Sequence, residues 1–326
     1  MIRYGFITVL VAFAVLAALH SHAQTLDGLE PIISRDTRLI IFSPHPDDES
    51  LGAGGLIQRI LNKGGKVKVV FVTSGDGFPE GVETEDHISH PTPKDYRKYG
   101  KEREHEAVKA LAVLGVKKRD VTFLGFPDGG LCELINRYVS DLKAYTSPFT
   151  REDHPPAAET IIPHADFSGR DLTQEIEKIL ADFRPNLVAT TPSEDQHPDH
   201  CSTYHFVRLA LSRLCKKDPT IKPTVLTFLI HFGQWPIGQG SGTGSRVNPP
   251  DGFSDKVHGE DVKWISFPLS AAETETKREA ILQYHTQMLI MSRFLVSFAR
   301  ANELFIMEHH GQVKEMEENP CPCYTQ

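Results

Sequence analysis

The sequence predicts an α/β fold: a mostly parallel sheet with helices on both faces and long loops over the carboxyl ends of its strands. Three observations lead there. Short apolar, β-branched runs at residues 39–42, 67–73, 121–124, 187–190 and 225–231 alternate with stretches of helical period. Strand, helix, strand repeated in this way makes parallel strands joined by crossover helices. Hydrophobic residues at 40% and charged residues at 24% fit a chain that buries a sizeable core and exclude disordered and fibrous classes. No internal repeat and no linker divides the 326 residues, so they read as one large domain.

In chain order the first element is a leader. Arg3 precedes an uncharged run over residues 6–19, and Ser21-His22-Ala23 supplies the small residues a signal peptidase reads. The run falls short of the ~20 residues a membrane span needs. Residues 1–23 are therefore expected to be a cleaved secretory signal, with an uncleaved anchor as the alternative. The mature chain is expected to be secreted or periplasmic, without a membrane span. Residues 24–308 then form a single domain, and 309–326 a C-terminal tail.

After the strand at 39–42, a helix begins near Ser50. Residues 95–114 read as a helix with Ala107, Leu111 and Leu114 inward and Gly115 as its stop. Ser168 opens the clearest helix, with Leu172, Ile176, Ile179, Leu180 and Phe183 on one stripe and Arg184-Pro185 at its end. Another follows His200, with Val207, Ala210, Leu211 and Leu214 on its apolar side. Irregular stretches at 78–93, 146–167 and 233–260 interrupt the pattern and are expected to wall a substrate cleft. Gly52, Gly54 and Gly55 read as a close-packing surface, since Ile57 stands where a dinucleotide fingerprint needs its third glycine. Trp235, Trp264 and Tyr284 read as core aromatics, with stacking on a sugar as the alternative.

Two turns carry the chemistry. Ser43-Pro44-His45-Pro46-Asp47-Asp48-Glu49 follows the first strand directly, and ligands of parallel sheets bind beyond the carboxyl ends of the strands. His45 and Asp48, three apart in a turn held by two prolines, can aim an imidazole and a carboxylate at one point, as a divalent metal such as zinc requires. Asp47 is left beside them. A carboxylate there can take a proton from water and later return it to a leaving amine. The competing structural reading is that Asp47 and Asp48 cap the following helix. After the strand at 187–190 comes Asp195-Gln196-His197-Pro198-Asp199-His200, where His200 offers a third ligand and His197 lies within reach of the same centre.

Pro-His-Pro-Asp-Asp-Glu and His-Pro-Asp-His together resemble the two signatures of the LmbE/PIG-L superfamily, zinc-dependent deacetylases of N-acetylglucosaminyl compounds. Thr73-Ser74-Gly75-Asp76-Gly77, Arg103 with Glu106, Gly125-Phe126-Pro127-Asp128-Gly129 and Tyr284-His285-Thr286-Gln287 are similar to further segments of that family. The resemblance runs from about residue 39 to 292. It implies a Rossmann-like fold, His45, Asp48 and His200 as zinc ligands, and Asp47 as general base. It also implies that His197 assists the oxyanion, that Asp199 orients His197, and that Arg103 and Asp128 contact the sugar. Iron(II) or cobalt(II) are alternatives to zinc. The implied partner is a small molecule or glycan bearing an N-acetylated amino sugar. The secretory leader and the long stretches after Gly129 and Gly233 depart from compact members, which leaves the sugar and the acyl group open.

The net charge of −8, with no long run of Lys and Arg, argues against a nucleic-acid partner. A nucleotide-binding oxidoreductase fits the alternation but lacks the glycine fingerprint. Two other readings stay open: an amidase acting on a different N-acyl substrate, and a carbohydrate-binding protein of the same fold that has lost turnover. Of the five cysteines at least one must stay unpaired within the chain. Cys321 and Cys323 read as part of an unstructured end, with metal binding as the alternative.

Overall fold

The computed structural model describes residues 28–140, 142–240, 242–253, 262–308 and 321. The leader at 1–23 and Cys323 lie outside the described residues. Among the described residues, seven strands form one sheet: β1 (Arg38–Ser43), β2 (Lys66–Thr73), β3 (Val121–Phe126), β4 (Leu187–Thr190), β5 (Thr224–Thr227), β6 (Trp264–Pro268) and β7 (Asn302–Glu308). Their order is β3-β2-β1-β4-β5-β7-β6. The first five pair in parallel, and β7 runs antiparallel to both β5 and β6.

Alternation along each strand builds two cores. Leu39, Ile41, Val67, Val69 and Phe71 face the layer of α1 (Asp48–Asn62), α3 (Pro93–Val113), α7 (Ala271–Ile281) and α8 (His285–Val296). Ile40, Phe42, Val70 and Val72 face α4 (Leu131–Asn136), α5 (Gly169–Phe183) and α6 (Pro198–Lys217). Both faces of the sheet are thus covered, which is why its strands read as continuous apolar runs. The helix after Ser168 forms as expected, and the Ser168 side chain accepts the Asp171 N–H.

Four expectations are corrected. The strand expected at 225–231 ends at Thr227, because the N–H groups of Ile230 and His231 turn away to the Asp195 carboxylate. The stretch at 78–93 is not wholly irregular: Pro79 opens the helix α2 (Pro79–Asp86). The strands β6 and β7 were not expected. Cys321 is no loose end: it is buried and disulfide-bonded to Cys201, 120 residues earlier, and its carbonyl accepts the Asn136 side chain. Cys215 is a free thiol.

Trp264, Trp235 and Tyr284 are all buried, as core aromatics should be. At Gly52 an added Cβ would stand 2.0 Å from the Phe228 ring, so α1 approaches the sheet as closely as the glycine-rich sequence suggested. Among the described residues, no helix is long and apolar enough to cross a membrane.

One buried ion pair locks α1 and α7 to β7. Glu303 accepts Lys277 Nζ at 2.7 Å and the Gly55 and Leu56 N–H groups at 2.7 and 2.9 Å, and both side chains are almost fully buried. Glu303→Ala strands an ammonium away from water, so unfolding free energy should fall by about 3–5 kcal/mol. Urea denaturation followed by circular dichroism checks this, and a loss below about 1 kcal/mol would contradict it.

Candidate metal centre

The strand order reverses between β1 and β4, and the turns after β1 through β5 meet at that switch point. Pro44 and Pro46 hold the first turn so that His45 Nδ1 and Asp48 Oδ2 stand 3.3 Å apart. His200, in the first turn of α6, brings its Nε2 to 3.1 Å from His45 Nδ1 and 3.2 Å from Asp48 Oδ2. One atom from each of three buried residues therefore surrounds a common point. A tetrahedral ion with bonds of about 2.0–2.1 Å holds its ligand atoms roughly 3.3 Å apart. The spacing and the His/Asp/His donor set fit a divalent metal, and ring nitrogens of His197 and His231 also lie within 4.8 Å of members of the set.

Carboxylates also stand close to the outer nitrogens of these imidazoles. His45 Nε2 lies 3.1 Å from Asp128 Oδ1 and 3.4 Å from Asp199 Oδ2, and His200 Nδ1 lies 3.2 Å from Asp195 Oδ2. A carboxylate that accepts from an outer nitrogen, as at His45, fixes the ring orientation and would strengthen the nitrogen facing a bound ion.

Asp47 sits at the N-terminus of α1 but makes no side-chain capping bond, which removes the helix-cap reading. Its carboxylate instead meets Arg103 Nη2 at 3.3 Å. Burial pushes the Asp47 carboxyl up, against the pull of the Arg103 guanidinium, which suits a group that must take and return a proton. Arg103 also donates to the carbonyls of Pro46 at 2.8 Å and Gly75 at 2.9 Å. It passes so close to Gly75, at φ 66°, that a Cβ there would be 2.0 Å from Nη1.

His197, mostly buried at the start of α6, accepts the Asp199 N–H on Nδ1 at 3.2 Å. A neutral ring in that position carries its proton on Nε2 and keeps it as a donor. Burial and the neighbouring imidazoles of His45, His200 and His231 hold His197 well below its ordinary value, so it is neutral.

All eight residues singled out in the sequence gather here, three of them with other partners than expected. Arg103, 4% exposed, spends its guanidinium on protein carbonyls and Asp47 rather than facing a sugar. Asp128 is held by His45 and by the Gly77 N–H at 2.6 Å. The Asp199 carboxylate binds the N–H groups of Gly129 and Leu131 and turns away from His197. Only its backbone N–H reaches that ring.

Sequence reasoning missed Asp195 and His231. Asp195 accepts N–H groups from His197, Ile230 and His231 at 2.9–3.0 Å, which ties the turn after β4 to the turn after β5. Its one available signal was its place in the His-rich turn. His231 was read as the end of a strand. Its ring lies 4.9 Å from that of His200 and stacks on Phe294 at 5.3 Å. Burial and the nearby His200 push it down to about 4.

The family model PIG-L, GlcNAc-PI de-N-acetylase, matches residues 40–211. The 1D-myo-inositol 2-acetamido-2-deoxy-alpha-D-glucopyranoside deacetylase of Mycobacterium sp. (strain KMS) is 29% identical over 196 residues, covering 58% of this chain and 55% of that protein. The protein of the same name from Nocardiopsis dassonvillei is 24% identical over 279 residues, covering 81% and 90%. The chain thus spans about half the length of the first curated relatives it matches. Among solved structures, a deacetylase in the biosynthesis pathway of teicoplanin has a TM-score of 0.50 at 19% identity, covering 83% of this chain and 97% of that one. GalB, the 4-carboxy-2-hydroxymuconate hydratase of Pseudomonas putida KT2440, has a TM-score of 0.50 at 14% identity, covering 86% and 98%. Identities this low speak for the fold alone.

Proposed function

Because the chain belongs to the PIG-L family, we propose that it is a zinc-dependent hydrolase that removes the N-acetyl group from an N-acetylglucosamine-type amino sugar or glycoconjugate. Residues 24–308 form its catalytic domain. The observation that carries the reading is the convergence of His45 Nδ1, Asp48 Oδ2 and His200 Nε2 to within 3.1–3.3 Å, with the Asp47 carboxylate alongside. Iron(II) or cobalt(II) would suit the same ligands.

When bound there, a divalent cation supplies Lewis acidity to the amide carbonyl and makes water more acidic. The residues of the chain do the rest. Asp47, steadied by Arg103, accepts a proton from the attacking water. The Nε2–H of His197 donates to the oxyanion that develops on the carbonyl oxygen. Asp47 then passes the proton to the amine nitrogen as the C–N bond breaks, leaving acetate and the free amino sugar.

The metal-loaded mature protein should release equal amounts of acetate and primary amine from at least one member of a panel running from N-acetylglucosamine to cell-wall fragments. No release from any N-acetylated sugar, together with turnover of a non-sugar N-acyl amine, would move the assignment to a different amidase. Binding of sugars without turnover would make it a carbohydrate-binding protein.

The protein acts outside the cytoplasm, secreted or periplasmic, after cleavage following Ala23. The Cys201–Cys321 disulfide supports this, since such bonds persist in oxidising compartments. Mass spectrometry of exported material should find a chain starting at Gln24. A chain retaining residues 1–23 would replace cleavage with anchoring.

A further inference from the structure

Asp47 has an uncommon backbone for a residue with a side chain, at φ 129° and ψ −37°. Such conformations persist only where the surroundings over-determine them. Here the Asp47 N–H donates to Glu49 Oε2 at 3.2 Å. Glu49 is fully buried, and its other oxygen accepts the Ser50 hydroxyl at 2.6 Å and the Tyr284 hydroxyl. Tyr284 is fully buried too and stands at the head of α8.

The next residues of α8 reach elsewhere. Thr286 donates through its N–H and hydroxyl to Glu106 at 3.0 and 2.7 Å, and Gln287 donates to the Tyr99 hydroxyl at 2.8 Å. Glu106 and Tyr99 lie on α3, the helix that carries Arg103 to the Asp47 carboxylate. The Tyr-His-Thr-Gln segment thus joins the two elements that grip Asp47, one through its backbone and one through its side chain.

We infer that Glu49, braced by Tyr284, is a positioning residue that holds Asp47 in the conformation needed for proton transfer. The inference rests on the reading of Asp47 as the base. The metal ligands have supports of their own: the His45 N–H binds Asp48 at 3.0 Å, and Asp128 and Asp195 hold the two imidazoles. Loss of Glu49 therefore lets Asp47 relax while the ion stays.

The experiment compares kcat, KM and metal content of zinc-loaded Glu49→Leu, Glu49→Gln, Tyr284→Phe and Asp47→Asn, and repeats the first three in the Asp47→Asn background. Glu49→Leu should lower kcat by about 10²-fold, the scale of a misplacement near 1 Å. Its KM should stay within a factor of about 3 and its metal content should stay full. Glu49→Gln keeps an oxygen acceptor and should lie within roughly tenfold of the wild type, with Tyr284→Phe between the two. In the Asp47→Asn background none of the three should lower kcat further, because groups acting as a unit are not additive.

Full kcat in Glu49→Leu overturns the inference. So does an equal loss with and without the Asp47 carboxylate, or a loss of metal. Should Glu49→Leu fail to fold, Tyr284→Phe, which keeps the ring, decides by the same criteria. Full activity in Asp47→Asn would instead overturn the reading of Asp47, a different failure.

Discussion

His200→Ala is expected to empty the metal centre and bring turnover to background. His200 contributes the nitrogen that closes the triangle with His45 and Asp48, and it is fully buried between Asp48 and Asp195. Its removal leaves only His45 and Asp48 of the three converging ligands, a poor site for an ion that prefers four bonds. Elemental analysis of the purified variant checks the metal, and assay with excess zinc checks whether mass action can refill the site. Chelation of the wild type should likewise abolish activity, with zinc, cobalt or iron restoring it. Full metal content in a His45→Ala, His200→Ala double variant would end the assignment.

Asp47→Asn should separate chemistry from metal binding. The substitution keeps the volume and the contact with Arg103 but removes the basicity, so kcat should fall by ~10²–10⁴ with the ion retained. His197→Ala should also lower kcat with full metal content, by roughly 10²–10³, because a donor to the oxyanion matters most in the transition state. Parallel measurement of metal content and kcat in these variants and His200→Ala tests the division of roles. An empty site in Asp47→Asn beside a filled, active site in His200→Ala would reverse it.

The residues that form the triangle were legible because each sits in a turn directly after an apolar run, where a parallel sheet places its ligands. Their supports were not. Asp195 does its work by capturing N–H groups 35 and 36 residues away, and no local pattern announces such a partner. The same captures shorten β5, which the apolar run at 225–231 overstated. The strand β7 escaped notice because Asn302 and Glu303 are polar yet buried, their side chains committed to Val247 and Lys277. The strand β6 ends in a proline, which argues against a strand in sequence terms and is tolerated at a sheet edge. Arg103 and Asp128 were identified as site residues from family resemblance, but only tertiary distances reveal that they serve Asp47 and His45.

The bond between Cys201 and Cys321 closes the last third of the chain into a covalent ring. Within that ring lies the stretch around Gly238, Gly240, Gly242 and Gly244, where an added Cβ would meet nothing and a protease finds accessible backbone. A cut there would not release the C-terminal part, which carries Tyr284, β6 and β7. The two pieces would stay joined through the residue next to His200, moving as one band on a gel until a thiol reductant is added. Damage in this loop is thereby kept from becoming dissociation, and the segment that carries Tyr284 stays attached to the part that carries His45, Asp48 and His200.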